Sequence, residues 1–156
     1  MVLACVLSLR SSFAQNAPNP VTWSLAAKSK SATVRPGGAF DAQLTAQIDQ
    51  GWHVYSLDQP DTGPVAMRIS VPMGQHFELQ DEIEAPQPRR DRDSTFGGVT
   101  EFYEGTAAFT LPIHAVPHAP AGRDKLRVEV TFQACSKQFC LLPQTVKLEL
   151  PVEVSR

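Results

Sequence analysis

The stretch that decides the fold lies near the end of the chain and reads Leu126-Arg127-Val128-Glu129-Val130-Thr131-Phe132-Gln133-Ala134-Cys135-Ser136-Lys137-Gln138-Phe139-Cys140. Up to Ala134, apolar residues alternate with polar ones, which is the period of a β-strand buried on one face. The same alternation returns from Val146 to Val154. The pattern therefore predicts two strands joined by a segment that carries two cysteines.

The spacing of Cys135 and Cys140 predicts a turn between them. Five extended residue steps span about 17 Å, whereas a disulfide needs Cα atoms roughly 4.4 to 6.8 Å apart. The resulting ring of about six residues would stabilise the fold by only about 2 kcal/mol, against about 4.7 for a ring of a hundred. A cross-link of such low structural value on a surface turn is a candidate for reversible thiol–disulfide exchange. A static disulfide in an exported β domain is the alternative, and spacing alone does not decide between them.

The composition indicates one domain. With 156 residues and 42% hydrophobic content, the chain can form one hydrophobic core and is too short for two domains that each have a core of their own. Its 14 basic and 16 acidic residues leave a net charge of −2 without a long run of like charge, so there is no electrostatic footprint for nucleic acid or an acidic membrane surface. Thirteen prolines and nine glycines separate short apolar runs, and this argues for an all-β chain.

Alternating segments elsewhere predict further short strands. They are 21–25, 40–48, 52–56, 67–71, 77–79 and 109–113. With the segments around the cysteines, the sum is seven to nine strands, which predicts an antiparallel β-sandwich. The polar, proline-bearing segment 85–93 is predicted to be a loop with solvated charges.

Strand periodicity predicts on which face of a strand two pairs of ring side chains lie. If Trp52 faces the core, then His53 and Tyr55 lie on the surface. Phe102 and Tyr103 are adjacent, so at least one of them should be off the core in a regular strand.

The N-terminus resembles an export signal. Residues 1–14 are predicted to be a signal peptide cut after Ala14, with 15–22 as a flexible leader and 23–156 as the β-sandwich domain. The nine apolar residues at the start fall far short of the about 20 that a membrane span needs. Cys5 faintly suggests a lipoprotein signal, but it lies too near the start and is expected to be removed. Export then leaves two cysteines in an oxidising compartment.

Three segments together resemble the family of N-terminal periplasmic domains of the thiol:disulfide interchange protein DsbD. They are Gly51-Trp52-His53-Val54-Tyr55, Glu101-Phe102-Tyr103-Glu104-Gly105, and Phe132-Gln133-Ala134-Cys135 with Phe139-Cys140-Leu141-Leu142-Pro143. The resemblance implies an immunoglobulin-like fold in the periplasm, with no cofactor and no metal. The sequence differs from the family's best-known member in two places. It has one residue fewer between the cysteines, and it has Thr100 at the position where that member's cap begins with an acidic residue.

The resemblance also implies a function. Electrons would pass from a thioredoxin-like donor to exported thiol oxidoreductases, such as disulfide isomerases and cytochrome c maturation factors, so that the chain acts as a protein-disulfide reductase. The chain ends at Arg156, and the donor is therefore expected on a separate chain or a membrane protein.

The family also assigns roles to residues by position. Cys140 would form the mixed disulfide with partners, and Cys135 would resolve it. The site would be completed by a cap loop of Glu101, Phe102 and Tyr103 and by the lining residues His53 and Tyr55.

The residues beside the cysteines suggest how partners are met. Phe139 and Leu141, with Leu142, offer apolar surface for a docking partner. Lys137 should favour a thiolate and Glu101 should oppose one.

Two other functions compete with exchange. One is an immunoglobulin-like binding or structural module with a static disulfide. The other is a metal site built from the cysteines and the four histidines, but only His114 and His118 have ligand-like spacing, and they straddle Pro117.

Overall fold

The computed structural model of the protein describes residues 19–59, 63–80, 82–93 and 96–156. Across these ranges the chain forms twelve strands and no helix. The strands are β1 (Val21–Ala27), β2 (Thr33–Val34), β3 (Ala39–Ile48), β4 (Trp52–Tyr55), β5 (Arg68–Ser70), β6 (Phe77–Leu79), β7 (Arg89–Asp93), β8 (Gly98–Tyr103), β9 (Thr106–Ala115), β10 (Gly122–Phe132), β11 (Ala134–Ser136) and β12 (Gln144–Val154).

The strands form three sheets of four strands each. The first has the order β1-β3-β9-β6, the second β2-β12-β10-β5 and the third β11-β4-β8-β7. All pairings are antiparallel except that of β2 with β12. The predicted all-β, immunoglobulin-like sandwich is therefore confirmed. The strands outnumber the seven to nine expected because four of them have only two or three residues.

The alternation in β10 places one row of side chains in the core. Val128, Val130 and Phe132 are buried, and the ring of Phe132 lies 5.2 Å from that of Trp23 on β1, which joins the second sheet to the first. Tyr103 on β8 packs edge-on against Phe109 on β9 at 5.3 Å, which joins the third sheet to the first. All three sheets therefore share one core.

The chain reaches the third sheet by extending the second. β10 ends at Phe132 and β11 begins at Ala134, so only Gln133 separates them. β10 pairs with β12 over eleven residues, and β11 then pairs with β4. The first cysteine thus lies on a direct continuation of the longest ladder in the fold.

The segment 85–93 is not entirely the loop that was predicted. Residues Arg89–Asp93 form β7 and pair in register with β8 from Phe102 to Gly98. None of these five residues is fully buried, so none needs to be hydrophobic. The sequence of this strand therefore lacks the alternation of apolar and polar residues that predicts a strand. Backbone pairing with β8 stabilises it instead.

The first strand begins inside the segment expected to be a leader. β1 starts at Val21, because the Val21 side chain is buried and pairs with Ile48. The expected signal peptide, with Cys5, lies outside the described residues. Among the residues that are described, no helix is long and apolar enough to span a membrane.

Replacing Phe132 by alanine is expected to lower the free energy of unfolding by about 3 to 5 kcal/mol, because its ring is 2% exposed and packs on Trp23. Phe139, seven residues later, is 50% exposed and provides the control. Phe139→Ala should cost much less in urea denaturation. Equal losses in the two variants would contradict this assignment of core and surface.

Candidate functional site

The two cysteines are joined in a tight hairpin. Cys135 and Cys140 form a disulfide with their Cα atoms 4.0 Å apart, and they occupy directly opposite positions in an antiparallel bridge. The Ser136 amide donates to the Phe139 carbonyl at 2.9 Å, and the Leu141 amide donates to the Ala134 carbonyl at 2.9 Å. The predicted turn is therefore present, and backbone hydrogen bonds on both sides of the disulfide hold the cysteines together.

The two cysteines differ in exposure. Cys135 is 1% exposed, whereas Cys140 is only half-buried. The difference follows from position, since Cys135 on β11 lies between β4 and the outer arm of the hairpin, whereas Cys140 lies on that outer arm. An incoming thiolate would therefore meet Cys140 first.

Strand register brings aromatic and imidazole rings to the same side of the sheet as Cys135. Cys135 lies opposite His53 across β11 and β4, and Tyr55 lies opposite Phe102 across β4 and β8. Opposite residues in an antiparallel pair project to the same face, as do residues two apart on one strand. The His53 ring is 5.1 Å from that of Tyr55 and 5.0 Å from that of Phe102.

Tyr55 is buried, although the sequence pattern placed it on the surface. The hairpin of β7 and β8 covers it, and the Tyr55 hydroxyl donates to Asp93 Oδ2 at 2.7 Å while Phe96 packs edge-on at 5.9 Å. Burial first, and then the hydrogen bond and charge of Asp93, raise the pKa of Tyr55 well above its usual value. Tyr55 is therefore a neutral hydrogen-bond donor to a carboxylate.

His53 is half-buried and its pKa is lowered. Desolvation by burial lowers the pKa of His53 below its ordinary value, while the negative charges of Asp93 and Glu104 act in the opposite direction. Burial has the larger effect. The imidazole is therefore mainly neutral at pH 7.

The segment predicted as a cap loop is instead the end of β8, and its side chains alternate. Phe102 projects to the side of Cys135, whereas Tyr103 is 5% exposed in the core against Phe109. Glu101 projects away from the cysteines and pairs with Arg90 Nε at 3.1 Å. Of the three residues, only Phe102 lies on the cysteine side, since strand geometry turns its two neighbours the other way.

A cleft of about 200 Å³ opens on this face beside the hairpin. Its lining includes His53, Tyr55, Thr100, Phe102, Glu104, Ser136, Lys137 and the β7 residues Asp91, Arg92 and Asp93. The contribution of β7 was not expected, since segment 85–93 was predicted to be a loop. The available signal was Gly97-Gly98, which is typical of a turn and is separated from the charged run 89–93 only by Ser94-Thr95-Phe96.

Comparison with known proteins identifies the family. The model of the family described as "Thiol:disulfide interchange protein DsbD, N-terminal" matches residues 23–151. The chain belongs to this family. It is therefore a thiol:disulfide interchange domain, and it carries a disulfide between Cys135 and Cys140 in the hairpin that follows β11. No curated protein sequence matches the chain significantly.

Two solved structures share the DsbD N-terminal fold. The reduced DsbD N-terminal domain of Neisseria meningitidis is 14% identical with a TM-score of 0.51, and the match covers 72% of this chain and 77% of that one. The N-terminal periplasmic domain of ScsB from Proteus mirabilis is 21% identical with a TM-score of 0.53, over 83% of this chain and 44% of that one. At these identities the likeness shows the fold alone.

An apolar patch lies on the surface of the domain beside Cys140. Phe139 packs edge-on against Trp52 at 5.4 Å and leaves half of its surface exposed, and Leu142 is 85% exposed. Leu141 is half-buried against the core, so it offers less surface than expected. Leu142 is the more exposed of the two leucines, because the Leu141 side chain packs against the core while its backbone pairs with Ala134.

Three of the four histidines have different neighbours in the described part of the domain. His76 Nδ1 lies 2.8 Å from Asp124 Oδ2, His114 Nε2 lies 3.1 Å from the Gly37 carbonyl, and His53 lies beside the cysteines. Among the described residues, no group of three His, Cys, Asp or Glu side chains could hold a metal ion.

The lowered pKa of His53 predicts a contribution to stability that depends on pH. The unfolded chain binds a proton near pH 6.5 and the folded domain only at lower pH, so this contribution is present above about pH 6.5 and is lost as the pH falls through the folded pKa. His53→Gln should therefore lose less stability than the wild type between about pH 7.5 and about pH 5. Urea denaturation at both pH values measures this, with the exposed His118→Gln as control. A loss in His53→Gln equal to that of the wild type would refute the prediction.

Proposed function

We propose that this domain is an exported electron relay that acts as a protein-disulfide reductase. In this role Cys135 and Cys140 take electrons from a thioredoxin-like donor and pass them to periplasmic thiol oxidoreductases, among them disulfide isomerases or cytochrome c maturation factors. The observation that carries the proposal is the asymmetry of the pair, with one accessible and one buried sulfur in a small ring. The family membership supports it. A periplasmic location agrees with that of the ScsB relative, which is a periplasmic domain, and with the presence of a disulfide.

The first half-reaction reduces the pair. A donor thiolate attacks Cys140 Sγ, the bond between the two cysteines breaks, and Cys135 leaves as a thiolate that takes up a proton. The donor's second cysteine, as a thiolate, then attacks the sulfur of the donor's first cysteine in the mixed disulfide and releases Cys140 as a thiolate. The donor ends as a disulfide, and the domain gains two electrons.

The second half-reaction runs the same steps toward an acceptor. The Cys140 thiolate attacks the acceptor disulfide and forms a mixed disulfide, and one acceptor thiolate leaves. Cys135 loses its proton and attacks Cys140 Sγ, which releases the second acceptor thiolate. The domain returns to its disulfide form, and the acceptor is reduced.

The hairpin is suited to repeated opening of the disulfide. The backbone bonds between Ser136 and Phe139 and between Leu141 and Ala134 are independent of the sulfurs, so they can hold both cysteines in register when the bond is broken. Loss of the small ring should cost the fold only about 2 kcal/mol. The dithiol form should therefore keep the same fold.

Phe102 is proposed as the cap residue of the site. Its ring contacts His53, which lies opposite Cys135, and it lines the cleft beside Ser136. An apolar ring here would hinder small thiols, whereas a docking protein could displace it and contact Phe139 and Leu142. Glu101 and Tyr103 are given no part in the cap, because both side chains turn away from the cysteines.

The relay predicts that a Cys135→Ala variant traps a thioredoxin-like partner. Its free Cys140 should form a mixed disulfide with a single-cysteine variant of that partner whose remaining cysteine is activated as a mixed disulfide with an aromatic thiol; the aromatic thiolate leaves, and the adduct persists because neither protein holds a second thiol to resolve it. Non-reducing electrophoresis and mass spectrometry measure the adduct. The matched Cys140→Ala variant should trap far less, since Cys135 is buried.

Two outcomes would favour the static disulfide instead. One is equal trapping, or none, by the two single variants when both are folded. The other is a reduction potential below about −300 mV, since a relay component should lie nearer −230 mV.

The cap predicts selective protection from small thiols. Phe102→Ala should speed reduction of the disulfide by glutathione several-fold, with little change in the rate with a thioredoxin-like protein. Phe96→Ala is the matched control, because Phe96 packs on Tyr55 and is not among the residues that line the cleft beside the hairpin. Stopped-flow fluorescence with each reductant measures the rates. If Phe102→Ala and wild type reacted equally with glutathione, Phe102 would not be a cap.

A further inference from the structure

The resolving cysteine faces a chemical difficulty that the fold creates. Cys135 must become a thiolate before it can attack Cys140, but it is 1% exposed. Burial disfavours the charged form of a thiol and raises its pKa, and it also limits the access of water as a proton acceptor. A base close to Cys135 on the same face would remove this difficulty.

The residue directly opposite Cys135 is such a base. His53 pairs with Cys135 across β11 and β4, and opposite residues have Cβ atoms about 4.5 to 5.5 Å apart. The contacts that fix the imidazole are ring contacts with Tyr55 and Phe102, which use neither of its nitrogens for hydrogen bonding. Both side chains project from backbone that is held in sheet register.

The charges around His53 suit a base that is neutral at rest. Its lowered pKa leaves a nitrogen lone pair free near pH 7. Glu104 and Asp93 lie near enough to favour the imidazolium once it forms. The other titratable or charged groups of the cleft are Tyr55 on β4, Asp91 and Arg92 on β7, and Lys137 in the hairpin turn.

We propose that His53 is the proton acceptor for Cys135, an inference that rests on the exchange function proposed above. In the resolving step the Cys135 thiol gives its proton to His53, the new thiolate attacks Cys140 Sγ, and the partner leaves as a thiolate. When a donor opens the disulfide, His53 returns the proton to the departing Cys135 sulfur. The electron count is that of the exchange itself, and His53 moves only the proton.

The resolving step can be timed without a protein partner. The reduced chain is mixed with a chromogenic aromatic disulfide; Cys140 releases one coloured thiolate as it forms a mixed disulfide, and attack by Cys135 releases the second. The rate of the second release is followed in stopped flow from about pH 5 to about pH 9, a range that spans the ordinary pKa of histidine and of cysteine.

In the wild type this rate should rise with the deprotonation of His53 and level off below the range in which free thiols ionise. His53→Gln should be slower by about tenfold or more at pH 7, since general bases typically contribute about 10² to 10⁴. Its rate should keep rising with pH as the thiol ionises by itself, so the gap narrows toward pH 9. His53→Phe keeps an aromatic ring against Tyr55 and Phe102 and should behave like His53→Gln, which separates proton transfer from packing.

His118 is exposed in the turn between β9 and β10, so His118→Gln should leave the pH profile of the second release unchanged. A wild-type profile in His53→Gln, or a wild-type rate in His53→Phe, would overturn the inference. If neither variant folded, the wild-type profile would decide, because a rate that follows only thiol ionisation excludes a histidine base.

The two proposals fail separately in this design. Reduction of the wild type by a thioredoxin-like donor, with an unchanged profile in His53→Gln, would refute the role of His53 alone. A His53-dependent resolving step in a domain that no thioredoxin-like donor reduces would refute the relay alone.

Discussion

The antiparallel ladder between β10 and β12 is the constraint on which the rest of the structure depends. It runs over eleven residue pairs and buries Val128, Val130 and Phe132 on its inner side. Because only Gln133 separates β10 from β11, the ladder also fixes where Cys135 emerges beside β4. The reactive hairpin is thus positioned by main-chain pairing and by the shared core. The framework does not depend on the disulfide for its stability. The disulfide can therefore open and close while the fold is kept.

Local periodicity was enough to predict most of this framework, and it failed where burial is decided by distant strands. The alternation in β3, β10 and β12 reports one buried face, so the sequence shows it directly. β7 has no buried face and left no such signal. Tyr55 looked exposed because the residues that cover it, Asp93 and Phe96, are about 40 positions away in sequence. The cysteine hairpin was foreseen because its geometry follows from short-range spacing.

For the residues near the cysteines, too, the local sequence predicted some features, and others were decided by tertiary packing. Strand alternation indicated that Phe102 and Tyr103 could not share a face, but only tertiary packing decided that Tyr103 joins the core through Phe109. Likewise, Leu141 and Leu142 are both leucines, and only the packing of Leu141 against the core distinguishes them. The proximity of His53 to Cys135 depends on the register of β11 on β4, which nothing in either segment specifies by itself. Long-range register is the information that single-sequence patterns lack.

The charged strand β7 has a consequence for how the molecule meets others. It is an edge strand of the sheet that carries Cys135, at the side away from β11, and all five of its residues, Arg89 to Asp93, are arginines or aspartates. An open sheet edge is a template on which a strand of another chain can add, and charged side chains along it oppose such addition. The charges along β7 thereby oppose self-association along this edge of the sheet.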